Sequence, residues 1–291
     1  MKKICSLVLL LGLIASLFAC GKTEITMQEI YDANQTDAML KNHESISVRE
    51  VMDGEIWRER YLTKAYTYDY FPGSDAGSDW SEFVTDDVYY YYASGACLYY
   101  LSVTPDGMSD FSNLLAERYE KTALSEDILK DTIESVSKKD GRITVKSVWP
   151  QEVLAESGLT AGKFEYVLDA KTSEVISNTS EYAFDDGTTW CLTVEVSYDA
   201  EAPEMVKTFL AYANQTEDLR NVTVVSNPGT GKEVSKTVQA PKGLIIGLRY
   251  NADTAYTFEV YTDAACTESY DPYVNTDSDL TIYVKWVEKA E

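Results

Sequence analysis

Long stretches between residues 46 and 198 place apolar and aromatic side chains at every second position, and this period of two constrains the fold more than any other feature. Ile46 and Val48 alternate with Ser47 and Arg49, Tyr66, Tyr68 and Tyr70 alternate with Thr67 and Asp69, and Phe164, Tyr166 and Leu168 stand two apart. Successive side chains of a strand point to opposite faces, so such segments build a sheet with a covered face. Asp53-Gly54 and Asp185-Asp186-Gly187 have the composition of hairpin turns. The pattern predicts strands over 55–62, 64–71, 80–85, 88–103 (broken or bulged around Ser94-Gly95), 142–149, 163–168, 174–184 and 188–198. The expected class is mainly β (α+β), a curled antiparallel sheet or half-barrel with covering helices.

Helical spacing interrupts this pattern. Thr26 and Glu29 have capping-box spacing and open a helix expected to end near Asn42-His43. Phe111, Leu114, Leu115 and Tyr119 predict a helix over 109–121. Ile128, Leu129, Ile133 and Val136 predict one over 125–138, closed by Asp140-Gly141. Met205, Phe209 and Tyr212 predict a third inserted helix over 203–214, with Pro203 at a favourable first position. Strand-like sequence resumes at Asn221, which places a domain boundary near residue 218. Ala33-Asn34-Gln35-Thr36 recurs as Ala213-Asn214-Gln215-Thr216, too short an echo to indicate duplication.

At the N-terminus, Lys2 and Lys3 precede an apolar run from Ile4 to Phe18, shorter than a comfortable membrane span, and Leu17-Phe18-Ala19-Cys20 closes it. This resembles a bacterial lipobox. The resemblance implies removal of residues 1–19, a diacylglyceryl group on Cys20 and a short tether over 20–25. Two acyl chains anchor a protein stably where one holds it only reversibly, so the expected location is extracytoplasmic, lipid-anchored to the bacterial cell membrane.

Two further resemblances divide the remainder. The order of helix, long hairpins, inserted helices and more hairpins over 26–217 resembles the LolA-like lipoprotein-carrier superfamily. Its nearest local match is Phe164-Glu165-Tyr166-Val167-Leu168-Asp169 with Lys171-Thr172-Ser173-Glu174-Val175. That resemblance implies an incomplete barrel whose helices cover an apolar cavity for acyl chains. Residues 218–291 are similar to the internalin B-repeat type, through Tyr256-Thr257-Phe258-Glu259-Val260-Tyr261-Thr262-Asp263-Ala264-Ala265-Cys266-Thr267, Tyr270-Asp271 and residues 279–286. This implies a small β-grasp-like spacer or contact module without catalysis.

Composition narrows the function classes. The net charge of −23 becomes two units more negative once Lys2 and Lys3 leave, which argues against nucleic acid and against docking on anionic lipid heads. No cofactor and no metal is expected: the single histidine, His43, and the cysteines Cys97, Cys191 and Cys266 do not make a zinc pattern, and the aspartates do not follow a calcium loop. Buried free thiols are the expected state of Cys97 and Cys191, with one disulfide between them as the alternative. His43, just past the first helix, is expected to cap it or face solvent, and no nucleophile motif accompanies it. No catalytic residue is therefore assigned.

Ten tyrosines lie between Tyr61 and Tyr100. Tyr66, Tyr68 and Tyr70 share one face, as do Tyr90 and Tyr92, and with Tyr166 they are the candidate ligand-binding residues, because tyrosine offers a broad apolar ring with a polar tip. Strand packing explains the same residues and is the favoured reading of them. Two functions follow. The first is a noncatalytic lipoprotein binding an amphiphile or other small ligand, favoured by a cavity lined by Ile46, Val48, Phe164, Tyr166, Leu168, Leu192 and Val194. The second is a surface interaction protein with a glycan or protein ligand, favoured by a solid core at those positions.

Overall fold

The computed structural model of the chain describes residues 25–73, 78–121, 126–250, 256–273 and 276–289. Cys20, the signal and most of the tether lie outside them. The described residues fall into two compact units, 25–34 with 126–190, and 35–121 with 191–289. Both are mainly β.

In the larger unit the short helix α2 (Thr36–Met39) leads into β1 (Ser45–Met52), β2 (Glu55–Thr63), β3 (Tyr66–Phe71), β4 (Trp80–Thr85), β5 (Tyr89–Ala93), β6 (Ala96–Thr104) and β7 (Gly107–Ser109). Each strand pairs antiparallel with the next, and residues 192–198 of β12 (Thr189–Tyr198) flank β1. The expected single run over 88–103 is two strands. Ser94 (φ 51°) and Gly95 (φ 81°) both take left-handed backbone, so the break is a two-residue primed turn that reverses the chain. Asp53 and Gly54 (φ 50° and 89°) do the same between β1 and β2, as expected.

The two faces of this sheet are covered differently. One carries Tyr61, Tyr68, Phe83, Tyr90, Tyr99, Leu101 and Val103, packed against Val206 and Phe209 of helix α5 (Glu204–Ala213). On the other, Val84 and Tyr89 meet Phe111, Leu114 and Leu115 at α3 (Ser112–Glu120). Beneath α3 lies a buried ionic network. Arg60 donates to Asp69 at 2.5 Å and to the Arg118 carbonyl at 2.8 Å, and Arg118 bonds Asp69 at 3.0 Å and also Glu82. The side chains of Arg60 and Asp69 are 0% and 1% exposed, so neither charge has water to fall back on.

After α5 the chain forms β13 (Leu219–Ser226), β14 (Val234–Pro241), β15 (Ile245–Tyr250), β16 (Tyr256–Tyr261) and β17 (Leu280–Glu288). The order β14-β13-β17-β16, with β13 and β17 parallel in the middle, is β-grasp-like. β15 leaves that sheet and adds parallel to β6, where Gly247 lies against the Tyr100 ring so closely that a Cβ would come within 2.6 Å of it. Val222, Val224, Ile246, Ile282 and Val284 enter the same core as Phe83 and Phe209.

The smaller unit contains α1 (Met27–Ala33), a 3-10 turn (Glu126–Lys130), β8 (Thr132–Lys139), β9 (Arg142–Val148), α4 (Gln151–Ser157), β10 (Leu159–Asp169) and β11 (Val175–Phe184). Its four strands pair antiparallel in chain order. The capping box of α1 is present in both directions, Glu29 N–H to Thr26 Oγ1 at 3.2 Å and Thr26 N–H to Glu29 Oε2 at 3.0 Å. That helix ends at Ala33 rather than Asn42, because Gln35 is extended (φ −70°, ψ 137°) and α2 begins anew. The repeated tetrapeptide ends a helix both times, with Asn34 Nδ2 on the Ile30 carbonyl and Asn214 Nδ2 on the Leu210 carbonyl, each at 2.8 Å.

The helix expected over 125–138 is a correction. Only Glu126–Lys130 turns, as 3-10 helix, and Thr132–Lys139 is strand. Asp140 (φ 51°) and Gly141 (φ 76°) form a hairpin turn into β9, and the branched side chains of Thr132, Ile133 and Val136 suit a pleated surface better than a helix. α4 had no counterpart in the expectations. Pro203 stands at the N-cap of α5, one position earlier than expected.

Two outcomes test this packing. Asp69→Asn leaves two buried guanidinium groups short of a counter-charge and is expected to cost about 3–5 kcal/mol in chemical denaturation, whereas Glu59→Gln on the same sheet should shift stability by less than about 0.5 kcal/mol. A chain ending at Asp218 loses β15 and the β-grasp-like sheet, uncovers Phe209 and Tyr99, and is expected to bind a hydrophobic dye and lose cooperative thermal unfolding; a sharp unfolding transition without dye binding would show that 26–217 stands alone.

Candidate functional site

A groove of about 480 Å³ opens in the larger unit, lined by Asn42, Glu44, Ser45, Tyr61, Thr63, Tyr66, Asp199 and Ala200. Three pieces of chain build it: the end of α2 leading into β1, the β2–β3 turn, and the residues that follow β12. Asp199 takes left-handed backbone (φ 53°), which aspartate tolerates better than most residues, and its N–H donates to the Ser45 carbonyl at 2.9 Å. The Glu44 N–H donates to Asp199 Oδ1 at 2.9 Å, and His43 Nδ1 stands 2.7 Å from Oδ2. These contacts, the His43 bond foremost, hold the Asp199 carboxyl below the usual carboxylate range.

His43 is largely screened from solvent and is paired through Nδ1 with Asp199. Its side chain is 16% exposed, its ring lies 4.4 Å from that of Tyr198, and it orients Asp199. Two phenols also line the groove. Tyr61 and Tyr66 stack at 6.3 Å and 25°, and burial pushes the Tyr66 hydroxyl up, so it stays neutral. The Tyr61 and Ser45 hydroxyls both donate to the Ala200 carbonyl, at 3.3 and 3.2 Å. Thr63 Oγ1 donates to the Tyr66 carbonyl at 3.4 Å and accepts the N–H groups of Ala65 and Tyr66, closing the β2–β3 turn.

Of the tyrosines singled out in the sequence, Tyr66 reaches this groove. Tyr68 and Tyr90 are buried under α5, where Phe209 lies 6.3 Å from the Tyr68 ring and stacks on Tyr90 at 5.7 Å and 12°. Tyr70 and Tyr92 pack partly buried against the same core, and Tyr70 also donates to Asp79 at 3.1 Å. Tyr166 belongs to the smaller unit and is 2% exposed. The apolar strand faces expected to line a cavity are packed: Ile46 and Val48 meet Met39, Leu40 and Leu62, with Val194 against them, and Phe164, Tyr166 and Leu168 are buried. Asn42, Glu44, Ser45 and Asp199 escaped the sequence reading, since nothing local marks residues 44 and 199 as neighbours.

The smaller unit holds a buried acid. Asp131 Oδ2 accepts from Ser147 Oγ at 2.9 Å and from the Tyr166 hydroxyl at 3.1 Å. Burial raises its pKa to about 6, and the hydrogen bonds from Ser147, Tyr166 and Trp149 only partly offset that. Burial raises Tyr166 as well, and the Asp131 charge adds to it. Cys97, Cys191 and Cys266 are free thiols, and burial raises Cys97 to about 12, which makes it inert. Among the described residues no three His, Cys, Asp or Glu side chains gather around a metal position, and no helix is long and apolar enough to cross a membrane.

Burial of Asp131 makes stability depend on pH. Its folded pKa of about 6 lies above the ordinary value near 3.9, so the protonated acid is the form the fold prefers. The stability it contributes is present below about pH 4 and is lost as pH rises through about 6. The stability difference between the native chain and Asp131→Asn should shift by about 2–3 kcal/mol over that window, with the native chain the relative loser at neutral pH. A difference independent of pH in denaturant melts would rule out the shifted acid.

No protein-family model matches the sequence, and no curated protein matches it. Similar solved structures include an uncharacterized conserved protein from Thermus thermophilus, at 12% identity over 62% of this chain and 91% of that one, with a TM-score of 0.33. The Pseudomonas aeruginosa MucA/MucB complex matches at 12% identity over 73% of this chain and 75% of that one, with a TM-score of 0.25. A LolA superfamily protein from Nitrosomonas europaea matches at 6% identity over 63% of this chain and 97% of that one, with a TM-score of 0.24. At scores this low these likenesses carry no argument about what the chain does.

Proposed function

We propose that this chain is a lipid-anchored extracytoplasmic binding protein, noncatalytic, that takes an amphiphile or other small ligand in the groove beside Asp199. The observation that carries the reading is the groove itself: about 480 Å³, within the range of small-molecule sites, lined by the stacked phenols of Tyr61 and Tyr66 and by the Glu44 and Asp199 side chains, of which the Asp199 carboxylate is held by hydrogen bonds. Because the apolar faces at Ile46, Val48 and Phe164 are packed, a ligand lying between the strands in the manner of an acyl-chain carrier has less to support it than one held in the groove. The anchor rests on the lipobox at Leu17-Phe18-Ala19-Cys20 and the basic start before it. Resemblance to LolA-like carriers and to internalin B-repeats supports binding rather than chemistry.

A second reading, a cell-surface interaction protein, is favoured by the same packed core and by Trp57, which is 52% exposed and stands edge-on to Phe71 at 6.5 Å. An exposed tryptophan beside a second ring suits a glycan or a protein partner.

Native mass spectrometry separates the two. The full chain, purified in nonionic detergent from its own host's membranes, is expected to begin at an acylated Cys20 and to retain a small molecule that Asn42→Trp, which fills the groove, expels. Protein that arrives without any bound molecule, or with one that Asn42→Trp leaves in place, would overturn the groove reading. A chain that begins at Met1 without fatty acid would overturn the anchor.

A further inference from the structure

The lining of the groove has a one-sided electrostatic character. Three of its hydroxyl donors are already engaged inward, Ser45 and Tyr61 on the Ala200 carbonyl and Thr63 on the Tyr66 carbonyl. Among the described residues, none of the eight that line the groove is a lysine or arginine. Beside the Asn42 amide and the Tyr66 hydroxyl, the lining offers a guest negative charge, the Glu44 carboxylate and the lone pairs of Asp199 not taken by His43 and the backbone N–H groups of Glu44 and Ser45. Asp199 is also held in place from three directions, by its own N–H on Ser45, by the Glu44 N–H and by His43, so its charge is already oriented before a guest arrives. Of the two rings that line the groove, nearly parallel to each other, Tyr61 is buried in the core and the half-buried Tyr66 is the one that presents aromatic surface, whose negative face attracts cations.

We infer that the groove takes a small organic cation, an alkylammonium whose charged end sits between Glu44 and Asp199 and whose carbon stem lies against Tyr66. This rests on the groove being the binding site, and it narrows the ligand class. A carboxylate or phosphate guest would meet two like charges and no lysine or arginine among the lining side chains. A purely apolar guest would leave both carboxylates against hydrocarbon. The ammonium matches both halves: its N–H groups meet carboxylate acceptors, and its methylenes cover the half-buried Tyr66 ring.

The test uses the full chain in nonionic detergent at pH 8, and isothermal titration with n-pentylammonium and with 1-pentanol, its uncharged twin. Saturable one-site binding of pentylammonium is expected, at least about tenfold tighter than pentanol. Glu44→Gln and Asp199→Asn should each weaken it on the order of tenfold, and Tyr66→Leu by severalfold. Asparagine tolerates left-handed backbone, so Asp199→Asn keeps the local fold, and Glu44 is exposed. Glu117→Gln removes the same charge from the outer side of α3 and should change nothing. Equal binding of pentanol, an equal loss with Glu117→Gln, or no binding would each overturn the cation assignment. The groove reading would still stand if the molecule retained from native membranes is expelled by Asn42→Trp, so the two failures are distinct.

Discussion

Removing Arg60 and Asp69 from water is costly, and several surrounding elements supply the partners that offset it. A buried guanidinium and carboxylate are tolerated only where geometry is close and the remaining donors and lone pairs are used. Here Asp69 receives Arg60 on one oxygen and Arg118 on the other, Arg118 continues to Glu82, and Glu82 accepts the Tyr89 hydroxyl at 2.6 Å. Arg249 closes the far end by donating to the same hydroxyl at 2.9 Å, 5.0 Å above the Tyr89 ring. Burial lowers the Arg60 and Arg118 guanidinium pKa values, and the Asp69 charge is what opposes it. The chain of contacts runs through β2, β3, β4, β5, α3 and β15, so the register of four strands, the seat of a helix and the capture of a distant strand depend on one set of charges. A slip of one residue in any strand would turn a charge of the set onto the aromatic face.

That division explains the tyrosines. With one sheet face committed to ions under α3, the other must supply the bulk of the apolar burial, and it does so with rings: Tyr61, Tyr68, Phe83, Tyr90 and Tyr99 side by side across β2 to β6, closed by Phe209. Tyrosine gives area without requiring a dry surrounding at its tip, so the layer grades from buried Tyr68 and Tyr90 to partly open Tyr66 at the rim. The groove exists at this rim because the strand ends there: Tyr66 is the first residue of β3, and the space beyond it is bounded by the turn at Thr63 and by Asp199.

How much of this a sequence discloses depends on how local the cause is. The period-two runs and the Asp53-Gly54 turn were legible because pleat and primed turn are properties of neighbouring residues. So was the capping box at Thr26 and Glu29. Asp140-Gly141 was legible as well but was assigned to a helix end, since Ile128, Leu129, Ile133 and Val136 also fit a helical face; length and branching should have decided for the strand. The short α4 ends at Gly158 (φ 68°), a signal present in the sequence and overlooked. The ionic network and the groove were not legible, because Arg60 meets Arg118 and Glu44 meets Asp199 across 58 and 155 residues.

Locality also separates the groove's charge from many of the other acids of the chain. In a protein this acidic, two more carboxylates on a surface would mean little, but Asp199, like Asp53 on the Cys191 N–H and Asp279 on Asn221, ties together segments distant in sequence. Aspartates such as Asp169 and Asp186 serve the turns they sit in, each bonding backbone two or three residues away. Asp199 instead joins residues 43, 44 and 45 to a position more than 150 residues later, with the only histidine of the chain spent on keeping it oriented. A hydrogen bond between main chains would join the same segments without charge. The carboxylate adds an ionised acceptor, fixed in direction, at the mouth of an aromatic-walled groove, and such preorganised charge favours a complementary guest because little reordering remains to be done on binding.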